Sequence, residues 1–210
     1  MAIAQLIMEY FYGFLVLLVI ISFLYSSVGH GGASGYLALM ALFSFPNDIM
    51  KPTALILNLF VAGVAFYQYY RAGHFKPKLF LWFAVGSIPA AYFGGAFHVE
   101  PSIYKKILGV LLIFAVLKML YKPTNQSNIK KNVPYLAIVI GVLIGFFSGL
   151  IGIGGGIILT PLLLLLHWAN MKEAAAVSAI FIWVNSAAGL IGQFSTGVEL
   201  SANVIPKVGS

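Results

Sequence analysis

The chain has 210 residues, of which 61% are hydrophobic and 8% charged. A water-soluble domain carries roughly 25% charged residues, so a solvated surface cannot be built here and the chain reads as an integral membrane protein. The net charge of +7 would suit a polyanion, but nucleic-acid binding needs a solvated basic face and is excluded. The basic residues instead fall between apolar runs, where they set orientation, and the absence of cysteine excludes disulfides, thiolate chemistry and cysteine metal sites.

In chain order, the first apolar window is Tyr10–Val28, with no Lys or Arg ahead of it. A cleaved signal peptide is therefore not expected, and the window reads as a retained span. It ends at Gly29-His30-Gly31-Gly32, followed by the short apolar stretch Ala33–Phe45. After a polar corner at Lys51 come windows at Pro52–Tyr70 and Leu79–Phe97, separated by Arg71, Lys76 and Lys78. A further window, Ile103–Tyr121, has Lys105, Lys106 and Lys118 near its ends, where long stems snorkel to the interface. The polar run 122–131 then reads as a linker. Beyond it, Val133–Ile151 ends at Gly152-Ile153-Gly154-Gly155-Gly156, a second short stretch follows at Ile157–Trp168, and Ala174–Phe194 closes the pattern. The short stretches have the length of half-helices or re-entrant segments.

The two halves follow one order: long span, glycine break, short helix, polar corner, long span. Gly29, Gly31 and Gly32 fall on Gly152, Gly154 and Gly155, and Lys51 falls near Lys172. The expected architecture is an all-α polytopic protein of the cell membrane. Its first repeat is residues 1–121, its linker 122–132, and its second repeat 133–210. The second repeat is expected to be incomplete, because Ile205-Pro206 lies opposite Ile88-Pro89. The basic segments 71–78 and 122–131 are two spans apart, which puts both on the cytoplasmic side. Whether the repeats are parallel or inverted depends on whether the short helices cross the membrane, and the charge pattern leaves that open.

Backbone freed at a helix break in lipid must be buried in protein or line a polar cavity. Two such breaks at corresponding points mark a transporter whose substrate sits between broken helices. Glycine permits positive φ and close approach, and a glycine run ahead of a helix presents N–H groups at the positive end of the dipole. Gly29, His30, Gly31 and Gly32, with Gly152, Gly154, Gly155 and Gly156, are therefore the candidate anion-binding residues. Ser34, Asn58, Thr160 and Ser178 are candidates to tune the fit. No Lys or Arg falls in the central windows, so backbone amides would supply the positive field. The competing explanation for the glycines is tight helix packing. His30 could add a titratable donor. His74, His98 and His167 fall at span ends and share no metal-ligand spacing.

The acidic residues Glu9, Asp48, Glu100, Glu173 and Glu199 all lie at span ends or corners, so a carboxylate proton relay has no obvious members. No nucleotide motif is present, and no cofactor, metal or enzymatic activity is expected. One protease-like match, Gly32-Ala33-Ser34-Gly35, fits the Gly-x-Ser-Gly of rhomboid-type intramembrane serine proteases. It lacks a companion histidine at membrane depth.

Two segments, Ser26-Ser27-Val28-Gly29-His30-Gly31-Gly32-Ala33-Ser34-Gly35 and Gly149-Leu150-Ile151-Gly152-Ile153-Gly154-Gly155-Gly156, together with Thr160-Pro161 and the small-residue run Ala174–Ser178, resemble the sulfite exporter TauE/SafE family of membrane transporters. The resemblance implies a multi-span exporter of sulfur-containing anions such as sulfite or small organosulfonates. The expected partners are a small anion and membrane lipid. Either the chain is a truncated form, or a second copy or another chain completes the second repeat. A channel-like anion pore is the alternative reading.

Overall fold

The computed structural model describes residues 2–27, 32–43, 45–97, 100, 103, 106, 109–110, 113, 129 and 132–196. Seven helices stand out: α1 (Ala2–Ser27), α2 (Ala33–Leu42), α3 (Asn47–Arg71), α4 (Pro77–Ala96), α5 (Pro134–Ile151), α6 (Gly156–Leu165) and α7 (Met171–Ser195). Residues 103, 106, 109, 110 and 113, within the predicted window at 103–121, are also helical. There is no strand among the described residues. Among the described residues four helices are long and apolar enough to cross a membrane: Ile49–Arg71, Pro77–Ala96, Pro134–Ile151 and Met171–Ser195. The all-α, multi-span expectation holds.

Helix boundaries follow local chemistry. Pro77 and Pro134 occupy the first turns of α4 and α5, where a missing N–H costs nothing because that donor has no intrahelical partner. Helix α7 opens with a reciprocal capping box. Asn170 Oδ1 accepts from Glu173 N at 3.0 Å, and Asn170 N donates to Glu173 Oε2 at 2.9 Å. Helix α5 stops at Gly152, whose φ of 89° is the left-handed cap that glycine reaches without strain.

Side-chain contacts fix the helix directions. Phe83, Ser87 and Ala91 of α4 face Gly141, Gly145 and Gly149 of α5, so these two helices run parallel. Helix α7 starts beside α4, with Lys76 Nζ 2.8 Å from Glu173 Oε2, and runs the same way. Helix α3 opposes α7: Leu55 meets Gly189, Asn58 meets Ser186, and Gly63 meets Trp183. Helix α6 also opposes α7, through Gly156 on Ile182 and Thr160 on Ser178. Thus α5 leaves one side, α6 returns to it, and α7 departs from it again.

A ten-residue helix is about 15 Å long, half the hydrocarbon thickness, which suits a re-entrant limb. In the first half, Phe14 of α1 stacks on Phe45 and packs edge-on to Phe43, past the end of α2. Phe23 lies near Gln68 and Ala72, at the other end of α3. Helix α2 therefore also returns to its starting side, which is opposite to the side used by α6. His74, Lys76, Lys78 and Lys172 gather on the α6 side, which the positive-inside rule makes cytoplasmic.

The α4–α5 seam is a glycine seam. A Cβ at Gly86, Gly94, Gly141, Gly145 or Gly149 would run into backbone carbonyls of the facing helix. Without a hydrophobic driving force between helices in lipid, such backbone contact is what packing has to work with. Gly13 of α1, by contrast, has open space where its Cβ would lie.

Two outcomes are expected. Gly145→Val should lower the melting temperature of the detergent-purified protein, because the helices must separate at an overpacking cost of about 1–3 kcal/mol or more, whereas Gly13→Ala should leave it unchanged. The natural chain has no cysteine, so single cysteines report topology directly: at Ala72, Asn132 and Lys172 they should label from one side of the membrane, and at Pro46 from the other. Labelling of Lys172→Cys from the side opposite Asn132→Cys would mean that α6 crosses.

Candidate functional site

The break between α5 and α6 is entirely buried, from Gly152 through Gly156. Three of its glycines are left-handed: Gly152 (φ 89°), Gly154 (φ 75°) and Gly155 (φ 81°). The N-cap of α6 is Gly155, which has no side chain to cap the first turn, so the orphan N–H groups there depend on what else faces the break. The N-cap of α2, Gly32, adopts nearly the same conformation, φ 86° and ψ −2° against φ 81° and ψ −10° at Gly155. Both glycines precede a ten-residue helix. The alignment of Gly32 with Gly155 thus joins residues of the same geometry. Gly29, His30, Gly31 and His98 lie outside the described residues.

The glycines of the second break do different things. The Gly152 N–H donates to Ser148 O at 2.8 Å, so it closes α5 and is not a free donor, contrary to the expectation that it would face a ligand. A Cβ on Gly155 would stand 2.8 Å from Ile144 Cγ2 and 2.9 Å from Phe181 Cε1, and one on Gly156 would strike Ile182. At those two positions close packing by itself demands glycine. Gly154 faces polar groups: its Cβ would lie 2.9 Å from Asn58 Nδ2 and 3.1 Å from Ser186 Oγ, beside Ile182.

Around this face the buried polar residues form two pairs. Asn58 Nδ2 donates to Ser186 Oγ at 3.3 Å, joining α3 to α7. Thr160 Oγ1 donates to Ser178 Oγ at 2.8 Å, joining α6 to α7. Asn58 and Ser178, paired by sequence position, are therefore engaged with different partners. Asn58 Oδ1, Asn185 Oδ1 and Ser148 Oγ are buried without a partner among the described residues, an expensive condition in a low-dielectric interior unless a water or ligand completes them. Asn185 Nδ2 bonds its own helix at Phe181 O, 2.8 Å away. Ser34 is buried in the first turn of α2.

Three participants were not foreseen: Ser148, Ser186 and Lys51. Lys51 had been placed at a polar corner outside the spans, yet it lies within the span Ile49–Arg71 and is only 8% exposed. Its Nζ donates to Gly95 O at 2.8 Å, and its Cγ is 3.3 Å from where a Cβ of Gly152 would sit. The window Pro52–Tyr70 still holds no cation before Arg71, but Lys51, one residue ahead of it, is carried into the bundle. The helix extends back through Pro52, which lies in its second turn and gives up one i→i−4 hydrogen bond there, to Asn47, and so carries Lys51 into the bundle.

His74 and His167 sit in the loops after α3 and α6, as expected for interfacial residues. His167 adopts φ 59° and its Nδ1 lies 3.0 Å from Leu165 O. On the same basic side a cavity of about 560 Å³ is lined by Phe23, Val64, Gln68, Tyr69, His74 and Lys172.

Comparison with known proteins agrees with this architecture. The sulfite exporter TauE/SafE family matches residues 14–206. A probable membrane transporter protein, y4hK, of Sinorhizobium fredii is 35% identical over 185 residues, covering 86% of this chain and 75% of that protein. A probable membrane transporter protein of Methanocaldococcus jannaschii is 28% identical over 200 residues, covering 88% and 74%. YjnA of Bacillus subtilis, also a probable membrane transporter protein, is 27% identical over 199 residues, covering 84% and 78%. No solved structure matches the chain. Broken helices packed between long spans, and a match across nearly the whole chain, lead to one conclusion: the protein belongs to the sulfite exporter TauE/SafE family of membrane transporters.

Proposed function

We propose that this transporter moves small sulfur-containing oxyanions, sulfite or an organosulfonate, out of the cell, and that it binds them at its two glycine-rich helix breaks. Within the second break the binding groups are the backbone N–H groups of Gly154, Gly155 and Gly156, with Asn58, Ser178 and Thr160 shaping the pocket and Ser186 and Ser148 joining them. Gly29, His30, Gly31, Gly32 and Ser34 play the matching part in the first break. The two units, α1–α2–α3 and α5–α6–α7, act as an inverted pair, a reading supported by the equal N-cap geometry of Gly32 and Gly155 and the opposite sides to which α2 and α6 return.

The observation that carries the proposal is the face of Gly154. There a left-handed glycine, the N-terminal turn of α6 and the buried Asn58 and Ser186 converge, and Asn58 still has unused hydrogen-bonding capacity. Anions bind at such helix starts through N–H groups and the dipole together. Export needs no coupling ion in principle: moving one elementary charge across 100 mV is worth about 2.3 kcal/mol, so an inside-negative potential favours efflux of a monoanion more than tenfold. The basic cavity beside His74 and Lys172 is the cytoplasmic approach.

The substrate class is tested by thermal stabilisation of the purified protein with sulfite, sulfate, thiosulfate, organosulfonates and carboxylates. Sulfite or a sulfonate should stabilise selectively, and stabilisation by carboxylates alone would overturn the substrate reading. For the site, Asn58→Ala should weaken anion binding by about tenfold, the scale of a lost hydrogen bond to a charged group. Its ligand-free stability should fall by only about 1 kcal/mol, as for other interhelical hydrogen bonds in membranes. Unchanged affinity in that variant would move the site away from the Gly154 face. Gly155→Val is not an informative probe, since packing against Ile144 and Phe181 already forbids it.

A further inference from the structure

We infer that Lys51 is the cationic group of the transport site: its ammonium exchanges the Gly95 carbonyl for the oxyanion held at the α5–α6 break. The inference rests on the anion reading above and adds to it the residue that discriminates by charge.

Lys51 lies inside a span, and a cation there is rare and marks ion pathways by default. Its observed partner is a neutral carbonyl, Gly95 O. The ion pair of Lys76 with Glu173 is at the basic side, on other helices. Among the described residues a carbonyl is the only partner of this buried ammonium, which leaves it incompletely compensated there, so a negative solute gains by approaching it.

Position points the same way. Lys51 and Asn58 are seven residues apart on α3, which puts them on one helix face. Lys51 Cγ abuts the space beside Gly152, while Asn58 Nδ2 abuts the space beside Gly154. The same face of α3 thus lays a cation and an amide with a buried, unpartnered oxygen along one helix break. The ammonium is three single bonds beyond Cγ, which puts the Gly152 end of the break within its reach. Gly95 is in the last turn of α4, where the negative end of the helix dipole offers a resting place for the ammonium when the site is empty.

The alternative role is purely structural, a lysine that caps α4 or pairs with Asp48 three residues earlier on α3. Purified wild type, Lys51→Met, Lys51→Arg, Asp48→Asn and the Lys51→Met/Asp48→Asn double variant distinguish the two, with sulfite as the probe. Lys51→Met should bind sulfite about tenfold or more weakly with ligand-free melting temperature unchanged or raised, and Lys51→Arg should recover most of the affinity. Wild-type affinity in Lys51→Met overturns the inference, as does a loss of its ligand-free stability that Asp48→Asn restores. Should Lys51→Met fail to fold, wild-type protein is treated with an amine-reactive reagent and Lys51 is followed by peptide mass spectrometry. Protection by sulfite supports the inference, and labelling indifferent to sulfite overturns it. A wild-type protein that binds other anions but ignores sulfite overturns the substrate reading instead, and the same variants are then decided with the anion that does bind.

Discussion

Lipid offers no hydrogen bonds, so every interruption of a membrane helix has to be compensated by protein or by a polar solute. The α5–α6 break meets this constraint in parts. Gly152 spends its N–H on the end of α5, Gly155 and Gly156 bring the α6 start against Ile144, Phe181 and Ile182, and Gly154 turns toward Asn58 and Ser186. Much of the interruption is sealed by apolar contact, and the polar remainder is confined to one face. That face is where the proposed anion site lies.

The rest of the bundle keeps that surface in register. Parallel α4 and α5 touch backbone to backbone along Gly141, Gly145 and Gly149, and α7 crosses α4 where Gly95 meets Gly189. Because these contacts involve carbonyls rather than flexible side chains, the helices have little freedom to slide. Helix α7 is positioned at its start by the Asn170–Glu173 box and the Lys76–Glu173 ion pair. Its middle then carries Ser178, Ile182 and Ser186 past the break. The elements near the break are therefore held by two chemistries, small-residue packing in the interior and charge at the basic edge.

Glycine serves both purposes in this chain, and a glycine cannot be assigned to one of them without its neighbours. Gly155 and Gly154 are adjacent and both left-handed. One is required by ring and methyl contacts and the other looks onto an amide and a hydroxyl. The same ambiguity applies to Asn58 and Ser178: both are buried polar residues in spans, yet they belong to separate hydrogen-bonded pairs.

Hydrophobic run length and composition determined the helical character of the described chain, four of its spanning segments, and where the two short helices begin, because burial in lipid leaves the backbone no alternative to helix. The glycine clusters and the basic segments were equally readable, since each acts over a few residues. Helix direction, the return of α2 and α6 to their own sides, the burial of Lys51 and the recruitment of Ser148 and Ser186 were decided by tertiary packing. Those features depend on which helix faces lie against each other, and residues such as Asn58 and Ser186, 128 positions apart, meet only when the bundle has closed.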